Sequence, residues 1–276
     1  MPDTFITLPC VRPHVTAQEA VTLQRATEDD APWLADVCAK AYTKYLEKGS
    51  YVPGGLSRVD SPRSHVKFME YFDYYRIALG DSTVGGLMVA PRGPGHVEVV
   101  NVFVDPEYRG RGVASAALSA AESLYADTGL WTMGVPEWDD ASAGLARGAG
   151  YVEVGLTVED DGTPLRWFNK AAEPLTFTPI GSLREGMRNV HVEGSVQEKA
   201  PARAVRGRRP GETLSVTEVG LVDETGRVVL TLWNSQIKLV QVGDRLRVEN
   251  GYVGGYRGIT QLSAGKSGRV IKLSPP

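Results

Sequence analysis

The sequence predicts two domains: a mixed α/β domain, then an all-β domain built as a small five-stranded barrel. Three observations predict this. The 276 residues suit one large domain or two ordinary ones. Charge is unevenly shared: residues 1–174 carry 15 Lys+Arg against 24 Asp+Glu, a net of −9, whereas residues 175–276 carry 15 against 9, a net of +6. Such a swing indicates two parts with different partners. Helical and strand periods are mixed in the first part, while the second shows strand periods alone. The cut falls in "NKAAEPLTFTPIGS", Asn169 to Ser182, which has two prolines and no regular period. This predicts an extension over 1–19, the α/β domain over 20–172, a linker over 173–182 and the all-β domain over 183–276.

In the first domain, a short strand in "TLQR" precedes a helix with Thr27 as N-cap and Asp30 three residues on. Leu34, Val37, Ala41 and Tyr45 then recur at helical spacing. A weaker helical stretch runs from Ser64 to Phe72. Strands at Tyr75–Leu79 and Val84–Ala90 form a hairpin, and Val97–Val104 is a third strand. A helix follows from about Val113 to Ala126, with Leu118, Ala121, Leu124 and Tyr125 on one face. Strands near Trp131–Val135, Tyr151–Leu156 and Leu165–Asn169, with a short helix at Ala141–Ala149, complete a β-α-α-β-β-β-α-β-α-β-β order.

The most informative stretch is "NVFVDPEYRGRGVASAAL", Asn101 to Leu118. A strand runs into a turn of alternating arginine and glycine, and a small-residue helix begins. Helix N-termini leave about four backbone N–H groups without intrahelical partners, and the helix dipole adds positive charge. That combination binds anions. Gly110 and Gly112 let a ligand approach the backbone, and Arg109 and Arg111 add cationic donors. A pyrophosphate fits such a turn. Neither a dinucleotide-binding GxGxxG nor a P-loop is present.

The turn and the element order together resemble the Gcn5-related N-acetyltransferase (GNAT) family over residues 20–172. Its [RQ]-x-x-G-x-[GA] pattern reads Arg109-x-x-Gly112-x-Ala114 here. The openings "RATEDDAPWL" and "VGGLMVA" and the late "GAGYVEVGLTVEDDGTPLRWFNK" resemble it in order as well. The resemblance implies acetyl-CoA as cosubstrate. Its pyrophosphate would lie on Arg109, Gly110, Arg111, Gly112, Val113 and Ala114, and its pantetheine arm at Phe103–Val104. Two positions depart from the family. Where many members carry a Glu, this chain has Val100, and the late Asn and Tyr are replaced by Ser142 and Ala146. Glu98 lies two residues before Val100, on the same strand face, and is the candidate catalytic base.

The second domain alternates Val190, Val192 and Val196 with polar residues, and then Val228, Leu230 and Leu232. The opposite face of the latter strand carries Val229, Thr231 and Trp233, so Trp233 projects outward. Tyr252 and Tyr256 flank Gly254-Gly255, and Arg203, Arg206, Arg208 and Arg209 crowd one connection; Arg257 follows Tyr256. Outward rings and basic loops suit single-stranded nucleic acid, where bases stack and cations track phosphates. The stretches "GMRNVHVEGSV", "VDETGRVVLTLWN" and "VGDRLRVENGYVGGYRGITQLSAG" closely resemble the archaeal-type single-stranded DNA-binding OB-fold related to replication protein A. That resemblance implies base stacking by Trp233, Tyr252 and Tyr256.

Composition narrows the classes. No run of about 18 apolar residues predicts a membrane span, and the start has no secretory signal pattern. Cys10 and Cys38 are too few for a disulfide framework, and His14, His65, His96 and His191 show no metal-ligand spacing. The expectation is a cytoplasmic acetyltransferase with no metal and no membrane contact. It would bind single-stranded DNA or RNA and act on an amine of a protein or small molecule. The alternatives are a GNAT domain that binds CoA with little turnover, and a barrel that contacts protein.

Overall fold

A computed structural model describes residues 20–43, 45, 52, 55–207, 211–256, 258–264 and 268–274. Cys10, His14, Arg208, Arg209 and Arg257 lie outside these, as does the side chain of Tyr256.

The N-terminal sheet begins with β1 (Val21–Arg25), β2 (Asp73–Leu79), β3 (Ser82–Gly93) and β4 (His96–Val104), paired antiparallel in that order. Strand β5 (Leu130–Pro136) joins β4 in parallel. β7 (Pro164–Ala171) and β6 (Val152–Val158) follow antiparallel. Helices α1 (Ala31–Ala41) and α2 (Pro62–Tyr71) pack on one sheet face with Met88, Ala90, Val100 and Phe103. Helices α3 (Val113–Leu124) and α4 (Asp140–Gly148) bring Val113, Leu118, Ala143 and Ala146 to the other face, against Leu87, Val99 and Met133. The predicted cap at Thr27 forms: its N–H donates to Asp30 Oδ2 at 2.8 Å, opening a 3-10 turn that runs into α1. One expectation on α3 fails. Leu118 and Ala121 are buried and Tyr125 packs against the core, but Leu124 is 59% exposed, because it lies about 120° around the helix from Leu118.

The C-terminal region holds β8 (Arg188–Lys199), β9 (Arg203–Arg206), β10 (Thr213–Val222), β11 (Arg227–Trp233), β12 (Arg245–Tyr256), β13 (Ile259–Ser263) and β14 (Arg269–Leu273). A one-turn helix, α5 (Gln236–Leu239), follows β11. β8 pairs with β10, β10 with β11, β11 with β13, β13 with β12, and β12 returns to β8. Val192, Leu221, Leu230, Val248 and Leu262 fill the space these strands enclose. Among the described residues, seven strands stand where five are expected. β9 is a short flap on β10, and β14 joins β12 to the first domain.

That join makes the two sheets continuous. Leu273 pairs with Gly155 and Lys272 with Leu156 on β6. Gly155 is required there: a Cβ would stand 2.1 Å from the Lys272 carbonyl oxygen. Leu165, Trp167 and Ile271 form a buried apolar seam beside the pairing. Among the described residues, no helix is long and apolar enough to cross a membrane.

Candidate functional site

The turn after β4 is shaped by local sequence. Asp105 accepts a hydrogen bond from the Glu107 N–H at 3.0 Å, starting a 3-10 turn at Pro106–Tyr108. Gly110 (φ +75°) and Gly112 (φ +77°) then take left-handed conformations. A Cβ at either would meet nothing within 4 Å, so the need for glycine is one of backbone angle and not of space. Gly112 is the N-cap of α3, and no side chain among the described residues caps that end. The result is a cleft of about 240 Å³ lined by Val104, Tyr108, Arg109, Gly110, Gly112, Val113, Ala114, Ser115 and Leu145.

The arginines are engaged elsewhere. Arg109 Nη2 donates to the Ala41 carbonyl at 2.7 Å and so ties the turn to the end of α1. Arg111 Nη2 donates to the Glu107 carbonyl at 3.1 Å, with its guanidinium 5.0 Å over the Tyr108 ring. The part of the turn left open is therefore backbone, and the cationic side chains hold it in shape.

A second opening continues from this cleft. The β4–β5 pairing ends at Val99 and Met133. Across β3 the register shifts, with Val89 opposite Val99 and Met88 opposite Asn101, so Val100 is the extra residue of a β-bulge. A slot of about 30 Å³ lies where the strands part, lined by Val99–Val102, Met133–Val135, Tyr42, Ser142 and Leu145. Leu145 borders both slot and cleft, so the two openings lie side by side. Phe103 lines neither; its ring is buried among Tyr42, His65 and Met88 on the α1/α2 face. Val104 does line the cleft.

The polar groups of the slot are ones the sequence reading did not single out as chemistry. Tyr42 Oη lies 3.0 Å from Asn101 Oδ1 and 3.1 Å from the Val102 carbonyl. Burial pushes its ionisation well above the ordinary phenol range. Ser142 Oγ and Tyr45 Oη both donate to Asp139 Oδ2, and Asp139 is 2% exposed. Asp139 is also the N-cap of α4, accepting from the Ser142 N–H at 3.4 Å. The only signal for this cluster in the sequence is an Asp three residues before a Ser at a helix start. Val100 and Ala146, the positions that depart from the family pattern, are both buried and apolar.

Glu98, the candidate base, shares the Val100 face but lies outside the slot lining, further back along β4. Its carboxylate accepts from Arg92 Nε at 3.0 Å, from Arg92 Nη2 at 3.1 Å and from Arg269 Nη2 of β14. Burial raises its proton affinity, but the charges of Arg269 and Arg92 overcome this and hold it below the ordinary carboxylate range. Two arginines, one from each domain, thus favour its charged form and tie β4 to β14. Around it, Arg269 stacks 3.6 Å from the Trp167 ring centroid, and Asn169 Nδ2 donates to Glu249 Oε1 at 2.8 Å. Asn250 Nδ2 donates to His96 Nδ1 at 2.7 Å, so the proton of His96 sits on Nε2, facing Thr132 Oγ1 at 2.9 Å.

On the second domain, Val229, Gln261 and Gly254 are neighbours across β11, β13 and β12. Trp233 lies four residues beyond Val229, and Tyr252 two residues from Gly254 in the same direction along the sheet. By strand alternation both project from the outward face, at 39% and 37% exposure. Arg188 places its guanidinium 4.9 Å over the Tyr252 ring. Arg203 lies level with Val216 and Trp233 across β9, β10 and β11, and Arg203 and Arg206 are exposed. The turn after Trp233 touches the first domain through Ser235 Oγ and Asp160 Oδ1 at 3.3 Å.

Comparison with known proteins agrees with this division. Residues 53–151 match the Acetyltransferase (GNAT) family, and residues 187–272 match the family described as single-stranded DNA binding protein Ssb-like, OB fold. The chain is 34% identical over 95 residues to the single-stranded DNA binding protein Ssb of Saccharolobus solfataricus, covering 34% of this chain and 63% of that protein. It is 26% identical over 144 residues to replication factor A of Methanothermobacter thermautotrophicus, covering 50% of this chain and 18% of that one. The chain thus spans less than two thirds of either relative. Among solved structures, it is similar to a ribosomal L7/L12 alpha-N-protein acetyltransferase in complex with coenzyme A, at 18% identity and TM-score 0.46, covering 57% of this chain and 97% of that one. It is also similar to an acetyltransferase from Thermus thermophilus, at 17% identity and TM-score 0.46, covering 56% and 99%.

Proposed function

We propose that this chain, which joins a GNAT acetyltransferase domain to an Ssb-like OB fold, is an acetyl-CoA-dependent N-acetyltransferase that holds single-stranded nucleic acid on its second domain. The observation that carries the reading is the uncapped start of α3. There Gly110 and Gly112 leave the backbone open in a cleft that adjoins, across Leu145, the slot between β4 and β5. The CoA pyrophosphate would sit on the backbone from Arg109 to Ala114, and the pantetheine arm would follow Val104 and Val102 into the slot. The thioester would then lie near Val100, Tyr42 and Ser142. Holding acetyl-CoA and an amine in line there supplies much of the rate, because it turns a two-body encounter into a one-body step.

The second domain raises the local concentration of acceptors found on single strands. Trp233, Tyr252 and Tyr256 would stack on bases, with Arg203, Arg206, Arg208, Arg209 and Arg257 near the phosphates. The acceptor is an amine of a protein, a small molecule or RNA. The test has two arms on the full chain. Isothermal titration with CoA and with a single-stranded oligonucleotide should give saturable binding of each. Labelled acetyl-CoA offered with polyamine, peptide and RNA acceptors should then transfer its label to one class.

A second reading, a CoA-binding domain with little turnover, draws on the apolar side chains at Val100 and Ala146. Tight CoA binding with no label on any acceptor would favour it over the first.

A further inference from the structure

The slot lacks the usual proton-handling side chains at Val100 and Ala146, and Glu98 is engaged at the domain junction. One polar chain still reaches it. Ser142 lines the slot, and its hydroxyl donates inward to the buried Asp139. Asp139 is fixed from behind by Tyr45 Oη, whose ring packs edge-on to Tyr42 at 5.0 Å and lies 4.6 Å from Trp138. Ser142 Oγ also meets Tyr45, and with its proton toward Asp139 a hydroxyl oxygen has two lone pairs, so one can accept from a group in the slot. Burial keeps Tyr45 protonated, so it remains a donor that aims the carboxylate. The α4 N-cap geometry holds Asp139 and Ser142 against each other.

We propose that Ser142 and Asp139 form the proton relay of acetyl transfer, Ser142 touching the reacting groups and Asp139 acting through it. This rests on the acetyltransferase reading. The acceptor nitrogen attacks the thioester carbonyl carbon, and a C–N bond forms. As it does, one N–H proton passes to Ser142 Oγ while the Ser142 hydroxyl proton moves to the Asp139 carboxylate. When the tetrahedral intermediate collapses, the C–S bond breaks and sulfur leaves with the bonding electrons. The proton then returns from Asp139 through Ser142 to the thiolate. The balance is amine plus acetyl-CoA giving amide plus CoA thiol, with no other reactant.

The test uses the full chain with acetyl-CoA and either spermidine or poly-L-lysine, reading CoA thiol release, with acetyl-CoA affinity measured separately by calorimetry. Ser142→Ala and Asp139→Asn should each lower kcat by roughly 100-fold, the usual scale of general acid–base help. Acetyl-CoA affinity should stay within about threefold, well short of the rate loss. Asparagine is as good an N-cap as aspartate, so the Asp139→Asn variant keeps the start of α4. Ser142→Thr should restore most of the rate, and the double variant should be no slower than either single one, as members of one relay behave. Unchanged kcat in Ser142→Ala, or a rate loss matched by lost acetyl-CoA affinity, would overturn the relay alone. No thiol release by the unaltered chain with either acceptor would overturn the enzyme reading for such amines, and the relay with it.

Discussion

The two proposed ligand surfaces of this molecule are built from opposite parts of the chain. At the start of α3 the ligand side is main chain, and the nearby arginines are spent on Ala41 and Glu107. On β11 and β12 the ligand side is side chain, with Trp233 and Tyr252 half-exposed on a sheet whose backbone is already paired. The difference teaches what each surface tolerates. A main-chain cradle survives the loss of side chains but not a change of backbone angle. A stacking face survives backbone-neutral changes but not the loss of a ring.

The comparison is broken most strongly at the two glycines. Gly110→Val with Gly112→Val forces a β-branched residue into the left-handed region twice, at roughly 1–2 kcal/mol or more each. CoA affinity should fall by about 100-fold or more on calorimetry, with oligonucleotide affinity unchanged. The reverse experiment is Trp233→Ala or Tyr252→Ala. Each should cost about 1–3 kcal/mol of oligonucleotide binding by fluorescence anisotropy and leave CoA affinity alone. Equal losses of both ligands in either variant would mean that the two surfaces are not separate.

The junction between them should respond to pH. Burial, with Arg269 close by, holds His96 at about 3, against an ordinary value near 6.5. The unfolded chain therefore takes up this proton first. The His96 contribution is complete above about pH 6.5 and drains away as pH falls toward 3, by at most roughly 1.4 kcal/mol per pH unit. Burial also lowers His65 and His191, so the contribution has to be isolated with a variant. Thermal melts from pH 7 to 5 should fall less steeply in His96→Gln than in the unaltered chain; identical slopes would remove the assignment. The smallest effect belongs to Arg111→Ala. CoA affinity should change by less than about fivefold, the scale of an exposed charge contact. A much larger loss would return the anion contact to the side chain.

What was legible in the sequence was what is local. The Arg-Gly turn, the Thr27 cap and the alternation that points Trp233 outward all rest on residues within a few positions of one another. The role of Glu98 was not legible, because its partner Arg269 is 171 residues away and strand parity fixes a face but not a neighbour. That the Phe103 ring packs on the α1/α2 face was not legible either, for a related reason. The bulge at Val100 and the end of pairing at Val99 decide where β4 parts from β5, and neither leaves a mark on composition. The Asp139 cluster was missed because an Asp before a helix reads first as a cap, which it also is.

The pairing of β14 with β6 has one more consequence. In the N-terminal sheet, β6 is the strand that β14 covers, and only two residue pairs do so. A transferase half produced without its downstream partner would present that strand bare, with the Trp167 seam open beside it. Such an uncovered strand is a template for self-association. Separate expression of the first half should therefore expose an edge that the full chain keeps covered.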